Sequence, residues 1–125
     1  MSRILVVEDH EAMRRGYRLI LQAAGYEVSE AADGEEALRE SERVTPDLIL
    51  LDLLMPNMDG ISFLRAYDLK RKHPDVIVVI FSNSSAPDKV QEAMDLGAKR
   101  YLIKAVISPK EIVKVVQAEL GAEAR

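Results

Sequence analysis

The sequence predicts a doubly wound α/β fold, a parallel sheet of five strands with helices on both faces. Short, almost wholly apolar runs recur along the chain, and segments with helical period stand between them. Runs that are apolar throughout suit strands covered on both faces, as in a parallel sheet. Strand followed by helix, five times over, calls for right-handed crossovers between neighbouring parallel strands.

The first strand is Ile4 to Val7. A helix follows on Met13, Tyr17, Ile20, Leu21 and Ala24, whose spacing lays one apolar stripe against the sheet before Gly25 stops it. Tyr26 to Ala31 sets Val28 between the polar Glu27 and Ser29, the alternation of a half-exposed edge strand. The second helix opens at Asp33-Gly34-Glu35-Glu36, a capping residue followed three positions later by glutamate. Leu48 to Leu51 forms the third strand, and the third helix follows Gly60 and ends before Pro74. Val76 to Phe81 is the fourth strand; its helix follows Ser85-Ala86-Pro87-Asp88 and ends at Gly97. Tyr101-Leu102-Ile103, the weakest run, is the fifth strand. The last helix opens at Ser108-Pro109-Lys110-Glu111, with the same cap spacing and proline at its first position. Residues 1–121 are thus expected to form one domain, and 122–125 a C-terminal tail.

A length of 125 residues suits a single domain with its own core, and an apolar share near half beside 30% charged residues is ordinary for a globular chain. The absence of cysteine excludes disulfides, thiolate metal sites and cysteine nucleophiles. A net charge of -4, with basic residues scattered along the chain, argues against direct nucleic-acid binding. The amino terminus lacks a signal-peptide core and no apolar run reaches membrane-spanning length, so a cytoplasmic protein without a membrane partner is expected.

In a doubly wound sheet, ligands bind outside the carboxyl ends of the strands. The polar residues found there are Glu8 and Asp9 after the first strand, Asp52 after the third, Ser82 and Asn83 after the fourth, and Lys104 after the fifth. Three carboxylates brought together repel one another unless a cation compensates them. A hard divalent ion such as Mg²⁺ does so with oxygen ligands, and it commonly pairs carboxylates with a phosphate. Aspartate can accept a phosphoryl group covalently, Lys104 supplies a second cation, and the Ser82 hydroxyl can donate to a phosphoryl oxygen.

Together, Glu8-Asp9, the run Asp52-Leu53-Leu54-Met55-Pro56-Asn57-Met58-Asp59-Gly60, Ser82 and Lys104 resemble the bacterial response-regulator receiver family, over nearly the whole chain. The resemblance implies a flavodoxin-like sheet of order 2-1-3-4-5 with five helices. It implies Asp52 as phosphoacceptor and Mg²⁺ on Glu8, Asp9, Asp52 and the backbone carbonyl of Leu54. Lys104 and Ser82 become phosphoryl contacts, and Tyr101 the aromatic switch that turns inward with the Ser82 loop. The implied partners are a histidine kinase or phosphotransfer protein and a downstream protein on the face of helix 4, strand 5 and helix 5.

Two positions depart from the family pattern. Ala105 stands where proline usually follows the lysine in a cis peptide, and a cis bond before a non-proline residue costs about 2.5–4 kcal/mol. The sequence leaves this bond open between cis and trans, and a trans bond implies a looser reach for Lys104. Asn83 stands where the family residue is small. His10 and His73 are read as solvated, Met55 and Met58 as loop packing, and Glu8 and Asp9 have capping of the first helix as their structural alternative. A receiver-like interaction module that works without phosphorylation is the competing function, though the acids it could dispense with are present. A Mg²⁺-dependent phosphatase usually carries a second acid two residues beyond its nucleophile, where this chain has Leu54.

Overall fold

The computed structural model describes residues 1–83 and 87–121. Strands β1 (Arg3–Val7), β2 (Glu27–Ala31), β3 (Leu48–Leu51), β4 (Ile77–Ser82) and β5 (Arg100–Ile103) form one sheet in the order β2-β1-β3-β4-β5. Every neighbouring pair is parallel. Five helices alternate with them: α1 (Glu11–Ala23), α2 (Gly34–Arg43), α3 (Gly60–Tyr67), α4 (Pro87–Asp95) and α5 (Pro109–Leu120). The expected tail at 122–125 and the Ser85-Ala86 part of the fourth helix's start lie outside the described residues.

Successive side chains of a strand point to opposite faces, so the wholly apolar runs feed two cores. Leu5, Val7, Ile49, Leu51 and Ile80 pack on one face with Phe63 and Leu64 of α3. Ile4, Val6, Leu50, Val79 and Phe81 pack on the other with Leu21 of α1 and Ile112 of α5. β2, with its alternating pattern, lies at the sheet edge as expected.

The helix starts match their sequence signals, with one variation. In α5 the Ser108 hydroxyl accepts from the Glu111 N–H at 3.2 Å while the Glu111 carboxylate accepts from the Ser108 N–H at 2.8 Å. In α2 the Asp33 carboxylate accepts from the Glu36 N–H at 2.9 Å, but the Glu36 carboxylate takes its return bond from Ala32, one residue upstream. The third helix is not continuous to Pro74. Asp68 takes left-handed backbone angles (φ 55°), which ends α3 and leaves a separate single turn, Leu69–Lys72. Aspartate tolerates that conformation because its short side chain bonds locally, here to Arg71 Nε at 2.7 Å.

At the end of α3, Tyr67 is 4% exposed and stacks on Phe63 and on His73, the latter at a centroid distance of 4.0 Å. Its hydroxyl has no hydrogen-bond partner among the described residues, and burial pushes the phenol up to about 12. The folded chain holds this proton more tightly than the unfolded one. That contribution is complete below the ordinary tyrosine value near 10 and is lost as pH rises through about 12. Tyr67→Phe removes an unpaired buried donor, so it is expected to raise stability by about 1 kcal/mol at neutral pH and to flatten the alkaline loss. Urea unfolding at neutral pH and at about pH 11 checks both, since between these limits the Tyr67 phenol ionises in the unfolded chain but stays protonated in the folded one.

Candidate functional site

The parallel register aligns the strand ends: Val7 lies beside Leu51, Leu51 beside Ile80, and Ser82 beside Ile103. The residues that follow therefore meet at one edge. Glu8 and Asp52 are only 1% and 3% exposed, while Asp9 is open to solvent. One carboxylate oxygen from each of Glu8, Asp9 and Asp52 lies within 4.8 Å of the others. Lys104 closes the group: its ammonium donates to Asp52 Oδ2 at 3.0 Å and to Glu8 Oε1. The Lys104 side chain is 8% exposed, and its Nζ stands 5.2 Å from the centroid of the Phe81 ring, against which Tyr17 packs edge-on.

Local bonds set each acid in place. The Asp52 N–H donates to the Val7 carbonyl at 3.0 Å, and Asp52 Oδ1 accepts from the Leu54 N–H at 3.2 Å. The loop then folds back so that the Gly60 N–H reaches the Leu53 carbonyl at 3.0 Å. A Cβ at Gly60 would stand 2.5 Å from the Asp52 carbonyl oxygen, so only glycine fits beneath the acid. Asn57, at φ 68°, turns the loop and bonds Asp33 at 3.1 Å, while Met55 and Met58 pack against the core as expected. Glu8 is held by its N–H on the Ala31 carbonyl at 3.0 Å and by Oε2, which accepts from the His10 N–H at 2.9 Å.

Three sequence readings change here. His10, not Asp9, caps α1, its Nδ1 accepting from the Met13 N–H at 3.4 Å, so Asp9 stays out of the cap. His73, read as solvated, stacks on Tyr67 at the other end of the sheet. All peptide bonds among the described residues are trans, including Lys104-Ala105, yet Lys104 reaches both acids. The chain leaves β5 in a 3-10 turn, Lys104–Val106, and the long lysine stem spans the remaining distance.

Burial pushes the Glu8 carboxyl above the ordinary carboxylate range, despite the opposing bond from Lys104. For Lys104, burial works against the ammonium, but the bonds to Glu8 and Asp52 outweigh it and hold the group above its usual value. Ser82 is fully buried at the end of β4, Tyr101 is half-buried on β5, and Asn83 is exposed. Phe81, Arg14 and Glu30 also shape the site without a signal in the sequence that marks them for it. Phe81 read only as core, and the sole trace of Arg14 was its spacing with Arg18, which places both on one face of α1.

The sequence matches the response regulator receiver domain over residues 4–117, and the chain belongs to that family, the receivers of two-component signal transduction. It is 36% identical over 121 residues to the uncharacterized transcriptional regulatory protein YhcZ of Bacillus subtilis (strain 168), covering 95% of this chain and 55% of YhcZ. It is 39% identical over 119 residues to Protein CcdB of the same organism, covering 94% of each. The solved chemotaxis protein CheY4 of Vibrio cholerae superposes with a TM-score of 0.85 at 33% identity, covering 94% of this chain and 98% of that one. The chain spans about half the length of several curated relatives it matches, YhcZ among them. Among the described residues, no helix is long and apolar enough to cross a membrane.

Proposed function

We propose that this receiver accepts a phosphoryl group on Asp52, with Mg²⁺ required, from a phosphohistidine on a histidine kinase or phosphotransfer protein in the cytoplasm. The observation that carries the reading is the buried Asp52 carboxylate, flanked by Glu8 and Asp9 and bonded to Lys104. The residues fit the ion: the donors are hard oxygens, and among the described residues three carboxylates face one ammonium, leaving net negative charge for a divalent cation to offset. Glu8, Asp9, Asp52 and the Leu54 backbone carbonyl would hold it. When bound, it would neutralise charge on the phosphoryl oxygens.

An Asp52 carboxylate oxygen attacks phosphorus. The new P–O bond forms as the P–N bond to the donor imidazole breaks, and the bonding pair leaves with the imidazole. Lys104, already on Asp52, stabilises the equatorial oxygens, and the Ser82 hydroxyl donates to one of them. Ser82 and Ile103 are paired in register, and Tyr101 lies two residues earlier on β5. On this reading, phosphorylation draws Ser82 toward Asp52, Tyr101 follows on the adjacent strand, and the face of α4, β5 and α5 is biased toward a downstream protein.

Incubation with acetyl phosphate, followed by intact-mass spectrometry, tests this. Wild-type chain is expected to gain one phosphoryl group with Mg²⁺ and none when the ion is chelated, and Asp52→Asn to gain none. A wild type that stays unmodified with Mg²⁺, or an equal gain in Asp52→Asn, contradicts the proposal.

A further inference from the structure

Two of the three acids sit on the short segment between β1 and α1, so their joint approach to a cation depends on the backbone between them. One side chain holds that backbone from outside. Arg14, in the first turns of α1, donates from Nη1 to the Glu8 carbonyl oxygen at 3.0 Å and from Nε to Glu30 Oε1 at 2.8 Å. Glu30, on β2, also accepts from Arg18 at 2.6 Å. The Arg14 side chain is 14% exposed, so the fork is largely shielded from water. A carbonyl and the following N–H share one plane, so fixing the direction of the Glu8 carbonyl fixes the plane from which Asp9 departs. Asp9 is exposed and outside the helix cap, so the direction in which it leaves the backbone governs its approach to the other acids.

We propose that Arg14, anchored by Glu30, is a positioning residue for the acid pocket: it holds the Glu8-Asp9 peptide so that a divalent cation meets Glu8, Asp9 and Asp52 already arranged. This rests on the reading of the pocket as a Mg²⁺ site. The sign of the effect separates positioning from simple electrostatics. Arg14 is itself a cation near the pocket, so its charge alone opposes binding of a second one, and deleting it should tighten binding. Loss of an outer contact that orients metal ligands typically weakens affinity 10–100-fold. Positioning therefore predicts the opposite outcome.

The test is Mg²⁺ titration of the full chain by calorimetry and amide chemical shifts, in wild type, Arg14→Met, Arg14→Lys and Glu30→Gln, with folding verified by circular dichroism. Both Arg14 variants are expected to bind Mg²⁺ about tenfold more weakly. The Asp9 amide resonance should also move in the metal-free protein, a response that lost charge alone does not explain in Arg14→Lys. Wild-type or tighter affinity in the Arg14 variants overturns the inference. Should Arg14→Met not fold, Arg14→Lys decides by the same criterion, since it keeps the charge and removes the fork. In Glu30→Gln, where the lost negative charge itself weakens cation binding, a shifted Asp9 amide in the metal-free protein supports the inference and an unmoved one overturns it. A wild type that binds no Mg²⁺ overturns the pocket reading itself, and this inference with it, before any variant is compared.

Discussion

Lys104→Met is expected to slow phosphoryl transfer to Asp52 about 10²-fold or more, the usual cost of deleting one preorganised group that stabilises transition-state charge. Among the described residues, Lys104 is the ammonium bonded to the acids, through Asp52 Oδ2 and Glu8 Oε1. Methionine keeps a flexible stem of similar length beside the Phe81 ring, so packing is largely preserved while the charge is lost. The resting site changes as well: burial already raises the Glu8 carboxyl, and without Lys104 it rises further. Single-turnover labelling with acetyl phosphate and Mg²⁺ gives the rate. A variant within about twofold of wild type would show that the bonds of Lys104 serve only the resting pocket, because a lost transition-state contact lowers the rate far more.

Gly60→Ala is expected to destabilise the fold by about 2–3 kcal/mol, through overpacking against backbone that cannot move aside. The added Cβ would meet the Asp52 carbonyl oxygen at 2.5 Å and Leu53 Cα at 2.8 Å, both at the end of a central strand. Helix propensity does not supply this cost: alanine in place of glycine in a helix interior, as at Gly16, favours folding by about 0.5–1 kcal/mol. Gly16 in α1 is the control, because a Cβ there meets nothing within 4 Å. Urea unfolding should therefore move in opposite directions for Gly16→Ala and Gly60→Ala. The latter should also lose phosphorylation rate, since relief of the clash shifts the backbone that carries Asp52. A Gly60→Ala protein as stable and as reactive as wild type would mean that the loop has slack.

What was legible in the sequence follows from how each feature is encoded. β1, β3 and β4 are covered on both faces and so announce themselves as unbroken apolar runs. Glu8, Asp9, Asp52, Ser82 and Lys104 stood out because each ends such a run, and parallel register carries the ends of runs to one edge. The break at Asp68 was hidden, because the apolar positions of α3 continue past it and no glycine or proline marks it. The choice of His10 over Asp9 as cap rests on local geometry, to which residue types one apart are blind. The Arg14–Glu30 pair joins residues 16 positions apart on different elements, and nothing local links them. The reach of Lys104 is not legible in the sequence, because the path of the chain after β5, a 3-10 turn with trans bonds, is not written in the identity of Ala105.

Asp52, not one of its neighbouring acids, is proposed to take the phosphoryl group. Borohydride reduces an aspartyl phosphate to a stable alcohol, so chain phosphorylated with acetyl phosphate and Mg²⁺ can be reduced, digested and sequenced by fragment mass to locate the acceptor. Conversion at Asp52 alone is the predicted result, and conversion at Glu8 or Asp9 with Asp52 intact would contradict the account.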